Sequence, residues 1–172
     1  GEPSPLPPLP IQYADYALWQ RRWLQGDVLE GQMAYWRNQL AGLQTLHLPT
    51  DRLRPAVASF KGAVRHFEIP TDVTAQLRQL SRHERVTLYM VLLAAFQVLL
   101  ARYSGQQGIA VGSPIAGRTH REHEGLIGFL VNTLVMGTDM SGDPTFTELL
   151  QRVKGVTLGA YTHQDIPFEK LV

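Results

Sequence analysis

Hydrophobic and polar positions alternate along the chain with two different periods, and the periods predict its elements. Tyr13, Tyr16, Ala17 and Gln20 recur at helical spacing over residues 11–24, with Trp19 and Trp23 on an adjoining stripe. Gly26 marks a break. A second helix is expected over 28–40, carrying Met33 and Trp36 inward, with Gly42 as its stop. Residues 44–59, punctuated by Pro49 and Pro55, read as a loop. Residues 62–69 alternate as a strand that Pro70 ends. Thr71 or Asp72 then caps a helix with Val73, Leu77 and Leu80 inward, and Thr87 caps another reaching about Tyr103. That helix is apolar almost all round, which predicts burial between other elements, and Gly105 suits its end. A short strand follows at 109–112, then a polar loop over 113–125 and a long strand over 127–139. Asp143, with Pro144 at the first helical position, is expected to cap a helix ending near Tyr161, with an apolar stripe of Phe146, Leu149, Leu150, Val153 and Val156.

The long strand contains the least ordinary residue. Phe129, Val131, Thr133 and Val135 face one side, and Leu130, Asn132, Leu134 and Met136 the other. Asparagine is depleted in strands because its amide competes for backbone hydrogen bonds. Asn132 therefore requires a polar protein partner, a wet channel or a ligand, and the first is the commonest outcome.

The element order is helix, helix, strand, helix, helix, strand, strand, helix, a mixed α/β layout with helices packed on a sheet whose strand order stays open. At 172 residues with 44% apolar content, the chain suits one domain or one large lobe. A net charge of +1 provides no strong field for nucleic acid or an anionic membrane. The longest apolar run, 88–96, is too short to span a bilayer. Without cysteine there is no disulfide or thiolate chemistry, which fits a cytoplasmic compartment. Residues 1–10 hold five prolines and no signal-peptide pattern. They read as a semi-rigid connector, and the missing initial Met suggests a piece of a longer protein.

Several kinds of chemistry fail on their residue patterns. His120-Arg121-Glu122-His123-Glu124 offers two imidazoles and two carboxylates, but zinc requires three or four converging ligands, and the segment reads as a solvated loop. Ser113 precedes Pro114, which has no N–H for an oxyanion hole, so a nucleophile elbow does not fit. Gly105-Gln106-Gln107-Gly108 lacks the Lys-Ser/Thr ending of a phosphate loop. His163 and Asp165 resemble a dyad, although residues exposed at a helix end explain them equally well.

Three segments stand out by their order and content: Tyr13-Ala14-Asp15-Tyr16-Ala17-Leu18-Trp19-Gln20, Ile127-Gly128-Phe129-Leu130-Val131-Asn132-Thr133-Leu134, and His163-Gln164-Asp165-Ile166-Pro167-Phe168-Glu169. With Gly112-Ser113-Pro114 and Gly117-Arg118, they resemble motifs of condensation domains from nonribosomal peptide synthetases. The resemblance covers essentially the whole chain. It implies a chloramphenicol-acetyltransferase-like fold of two lobes with a substrate tunnel between them. Residues 11–43 would be a helical lead-in from the first lobe and 44–172 a partial second lobe.

The implied activity of the parent is amide formation between aminoacyl or peptidyl thioesters on phosphopantetheine arms, with no directly bound cofactor. Carrier proteins, an adenylation domain and the N-terminal lobe would be its partners. The family's His-His-x-x-x-Asp-Gly motif is not matched by His47, His66, His83, His120, His123 or His163, so no residue here is assigned a catalytic role, and the isolated chain is expected to be inactive and marginally stable. The resemblance makes Tyr16, Trp19, Asn132 and Thr133 tunnel candidates. It makes Asp15, Gly128, His163, Gln164, Asp165, Pro167 and Phe168 structural ones. Asn132 would either orient a pantetheine amide or hold the architecture. Leu130 replaces an expected aromatic, and Gly137 an expected arginine whose fork of donors glycine cannot supply. The alternatives are a noncatalytic carrier- or domain-interaction module and a free-standing acyltransferase of the same fold.

Overall fold

A computed structural model describes residues 7–53 and 55–171. Residues 1–6 of the proline-rich connector lie outside the described residues. The chain forms helices α1 (Tyr13–Trp23), α2 (Gly26–Leu40), α3 (Thr71–His83), α4 (Leu88–Ser104) and α5 (Phe146–Thr162), with strands β1 (Gly108–Ile115) and β2 (Asn132–Asp139). The strands form one two-stranded sheet. The Gln97 amide donates to the carbonyls of both Ile109 and Met136, and a Cβ on Gly112 would touch Thr133, so residue numbers run in opposite senses and the pair is antiparallel. No single helix among the described residues is long and apolar enough to cross a membrane.

Two compact units divide the chain. One comprises Gly42–Val111 and Met136–Leu158. Its core gathers Met90, Val91, Leu93 and Ala94 of α4, Ile109 and Met136 of the strands, and Leu149, Leu150 and Val153 of α5. Helix α4 starts where expected: the Thr87 hydroxyl accepts the Met90 N–H, and Gly105 ends the helix at φ +70°. It is not buried all round. Leu92, Phe96, Leu99 and Tyr103 form an exposed stripe, because α3 and the α4–strand contacts occupy only one side of it.

Residues 62–69 are not a strand. They join no ladder among the described residues, and both faces are exposed, Val64 on one and Phe67 on the other. Alternation specifies a strand only where a partner and a buried face exist. The cap of α5 also differs from expectation. Thr145, not Asp143, starts it: the Thr145 hydroxyl accepts the Glu148 N–H at 3.3 Å, and the Glu148 carboxylate accepts the Thr145 N–H at 2.8 Å. This Thr-x-x-Glu capping box satisfies two orphan donors reciprocally.

The other unit comprises Gly1–Ala41, Gly112–Val135 and Gly159–Val172. Leu24, Trp36, Leu126, Leu130, Leu134, Ala160 and Ile166 are its buried apolar residues among those described, and the Trp36 indole N–H donates to the His163 carbonyl at 2.8 Å. β2 begins five residues later than the alternation suggests. Tyr13 Oη donates to the Phe129 carbonyl, and Gly117, at φ +64°, lies so close to the Leu130 carbonyl that a Cβ would overlap it at 1.8 Å. The backbone at 129 and 130 thus lies against α1 and the 117 turn, just before β2 begins. The alternation still holds for burial: Leu130, Leu134 and Met136 are buried, while Phe129 and Val131 are exposed.

Candidate functional site

Within this second unit, a cavity of about 350 Å3 is walled by α1, by residues 129–133, by residues 164–169 and by Gly117, Thr119 and His123. The three sequence motifs therefore converge on one space. Tyr16, Trp19, Asn132, Thr133, Gln164, Asp165, Pro167 and Phe168 all line it.

The Asn132 amide is fully engaged. Its Nδ2 donates to the carbonyls of Gln164 at 2.9 Å and Ile166 at 2.7 Å, and its Oδ1 accepts from the N–H groups of Thr133 at 2.9 Å and Phe168 at 3.0 Å. A side-chain amide has two donors and two acceptor sites, and all four are used. Asn132 staples the start of β2 to the 164–168 segment and has no capacity left for a ligand amide.

The aromatic wall is continuous. Trp19 stacks on Trp23 with centroids 5.4 Å apart, and Tyr16 lies 5.9 Å from Trp19. Tyr16 Oη accepts from Gln20, and burial, with lesser help from Tyr13 and Asp165, raises its pKa, so it is a neutral phenol at ordinary pH. Asp15 points back to its own helix start, where its carboxylate accepts the Gln12 N–H at 2.9 Å. Gly128 lies against the Tyr13 ring, with a notional Cβ only 2.2 Å from it.

His163 and Asp165 do not form a dyad. The His163 ring stacks on Tyr35 at 3.9 Å and bonds the Gly159 carbonyl, while Asp165 is held by the Gln32 amide at 2.8 Å. Their shared contact with α2 sets the 163–169 segment in place. Tyr35 in turn needs Gly159, where a Cβ would meet Tyr35 Oη at 2.6 Å.

The solvated loop expected at 120–124 is not what forms around His123, which is buried with 5% of its surface exposed. It sits in the short helical turn Arg121–His123, edge-on to Tyr16 at 4.9 Å and to His120 at 5.0 Å, and 5.7 Å from Trp19. Arg118 clamps the backbone beneath it, donating to the carbonyls of His123, Glu124 and Leu126. Burial above all, then the neighbouring His120, lowers the His123 pKa, against the pull of Glu122. The three-residue spacing of His120 and His123 showed that their rings could meet. The aromatic partners from α1 had no signal in the local sequence.

A family model described as "Condensation domain" matches residues 1–172. The chain belongs to the condensation-domain family. This condensation domain is 60% identical over 173 residues to one of the linear gramicidin synthase proteins of Brevibacillus parabrevis, covering 100% of this chain and 2% of that protein. It is 51% identical over 173 residues to malpinin synthetase of Mortierella alpina, again covering 100% of this chain and 2% of that protein. Among solved structures, it matches the X-domain in the complex of X-domain and OxyB from teicoplanin biosynthesis with a TM-score of 0.89 at 32% identity, covering 96% of this chain and 38% of that one. The condensation domain described here thus spans a small part of its relatives' length, and its helices and small sheet have the chloramphenicol-acetyltransferase-like fold of its structural neighbours.

Proposed function

We propose that the cavity is part of the substrate channel of a nonribosomal peptide synthetase condensation domain. The observation that carries this reading is the convergence of residues 13–20, 127–134 and 163–169 on one space. In this reading residues 1–10 connect, 11–43 lead in from a first lobe, and 44–172 belong to the second. Carrier proteins would bring aminoacyl or peptidyl thioesters on phosphopantetheine arms, with an adenylation domain nearby. The amine attacks the thioester carbonyl, a C–N bond forms, the C–S bond breaks, and the amine proton passes to the departing thiolate, which leaves as the thiol.

This chain's own part is positional. Tyr16, Trp19 and Trp23 present an apolar aromatic wall suited to a narrow flexible chain. Asn132 holds the 164–168 segment opposite it. The test uses the intact parent with both carriers loaded. Trp19→Ala should lower amide formation while leaving adenylation untouched, and an unchanged rate would contradict the channel. The isolated 172-residue chain should form no amide under the same conditions, and product from it would contradict the division of labour between lobes.

A second reading, a noncatalytic interaction module, is favoured by the likeness to an X-domain found in complex with OxyB. The higher identity to a linear gramicidin synthase weighs toward the first. A parent that retains full condensation when this chain is disrupted, yet loses a binding partner, would support the second.

A further inference from the structure

Among the described residues, His123 is the one buried imidazole in the cavity wall, and its Nδ1 has no hydrogen-bond partner. In the neutral form Nδ1 can be the bare acceptor nitrogen, which costs less than the bare N–H of a charged ring. A protonated ring carries N–H on both nitrogens, and a buried donor without an acceptor is costly. The residue is fixed at its main chain. The Arg118 clamp holds its backbone, and the turn is closed by His123 N–H to the His120 carbonyl at 3.0 Å and Leu126 N–H to the His123 carbonyl at 3.2 Å. Strain on the ring is therefore relieved where it meets α1, at Tyr16 and Trp19.

We propose that His123 is an acid-sensitive latch: while neutral it holds α1 against residues 117–126, and on protonation it releases α1 and opens the cavity wall.

The charged and titratable groups around it are few. On its own loop these are Arg118, His120 and Glu122; α1 presents Tyr16 and Asp15; the 164–169 segment brings Asp165 and Glu169 to the same cavity. His120 and Arg118 oppose an imidazolium at 123. Glu122 favours it, but less than burial disfavours it. Asp15 is occupied by the Gln12 N–H and Asp165 by Gln32. An imidazolium would gain some attraction from the faces of Tyr16 and Trp19, but no ring face near it supplies a hydrogen-bond acceptor equal to a carbonyl. Protonation thus weakens the contact between α1 and the loop.

The latch needs only the cavity's geometry. Its consequence for carrier-bound substrates rests on the function proposed above, and a structural readout lets the two fail separately. Hydrogen–deuterium exchange by mass spectrometry on the intact parent, corrected for intrinsic rates, would compare about pH 7.5 with about pH 5.5, either side of the ordinary histidine pKa. Peptides covering Tyr13–Trp23 and 117–126 should lose protection at the lower pH, while those within α5 keep theirs. His123→Phe, which fills the same space without a titrating group, should abolish the loss. His120→Gln, at a more exposed position, should diminish it by removing a repelling charge. No loss in the wild type, or an equal loss in His123→Phe, overturns the latch. If His123→Phe does not fold, His123→Gln, which is polar but does not titrate, takes its place, and a loss there equal to the wild type's overturns the latch.

Discussion

At the scale of single residues, Asn132 shows what a buried polar side chain does once its partners are known. Replacing it with leucine leaves the carbonyls of Gln164 and Ile166 and the N–H groups of Thr133 and Phe168 without their partner. The expected loss is about 2–4 kcal/mol in urea unfolding of the intact protein, since several groups are orphaned together. A loss below about 1 kcal/mol, the value of one ordinary hydrogen bond, would refute the staple. Gly137 is a second case. It is buried, and a Cβ there would meet the terminal Cδ1 of Leu43 at 2.9 Å. Leu43 fills the space that an arginine at 137 would need. Gly137→Ala should be mild, because a terminal methyl can turn away, whereas Gly137→Arg should lower the unfolding midpoint and Leu43→Ala should restore part of it. The resemblance set arginine at this position only as an expectation; that Leu43 lies against Gly137 had no local signal, because the two lie far apart along the chain.

At the scale of elements, local chemistry was readable and tertiary competition was not. The Thr87 cap, the Gly105 stop and the alternation of β2 all follow from residues a few positions apart. The Thr145-x-x-Glu148 box was equally local, but Asp143-Pro144 offered a rival cap two residues earlier. Asp143 instead adopts φ +48°, in the turn before the helix. Thr145→Ala should cost about 1 kcal/mol, the usual value of a lost N-cap, read from the thermal or urea midpoint. The start of β2 was misplaced for a different reason: Tyr13 and Gly117, distant in sequence, occupy the backbone of 129 and 130. Gly128→Ala tests that contact. Its Cβ would overlap the Tyr13 ring, with an expected cost of about 1–3 kcal/mol from overpacking. The cost should shrink in a Tyr13→Ala background, and a double-mutant cycle showing no coupling would mean that α1 is positioned by something else.

At the scale of the whole molecule, the titrating groups predict how stability falls with acid. His123 has a lowered folded pKa, so below about pH 6.5 the unfolded chain binds that proton more readily than the native one. Stability therefore declines as pH drops below that value and levels off once pH is below the folded pKa. Asp139 and Glu148 are also lowered. Hydrogen bonds from the Ser141 backbone and hydroxyl hold Asp139, and those from Thr145 hold Glu148. As acids with depressed values, they contribute stability that is fully present above their unfolded pKa, near 4, and is lost as pH falls through the folded values. Both terms weaken the fold in acid, but in separate windows. Urea midpoints measured from neutral pH downward should show a first decline near pH 6.5 and a second below about pH 4. His123→Phe should remove the first and leave the second. Thr145→Ala should shrink the second and leave the first, because the hydroxyl that holds Glu148 is gone. A single decline confined to the carboxylate range, unchanged in His123→Phe, would mean that the buried imidazole is accommodated in both protonation states, and the cavity wall would then be indifferent to pH.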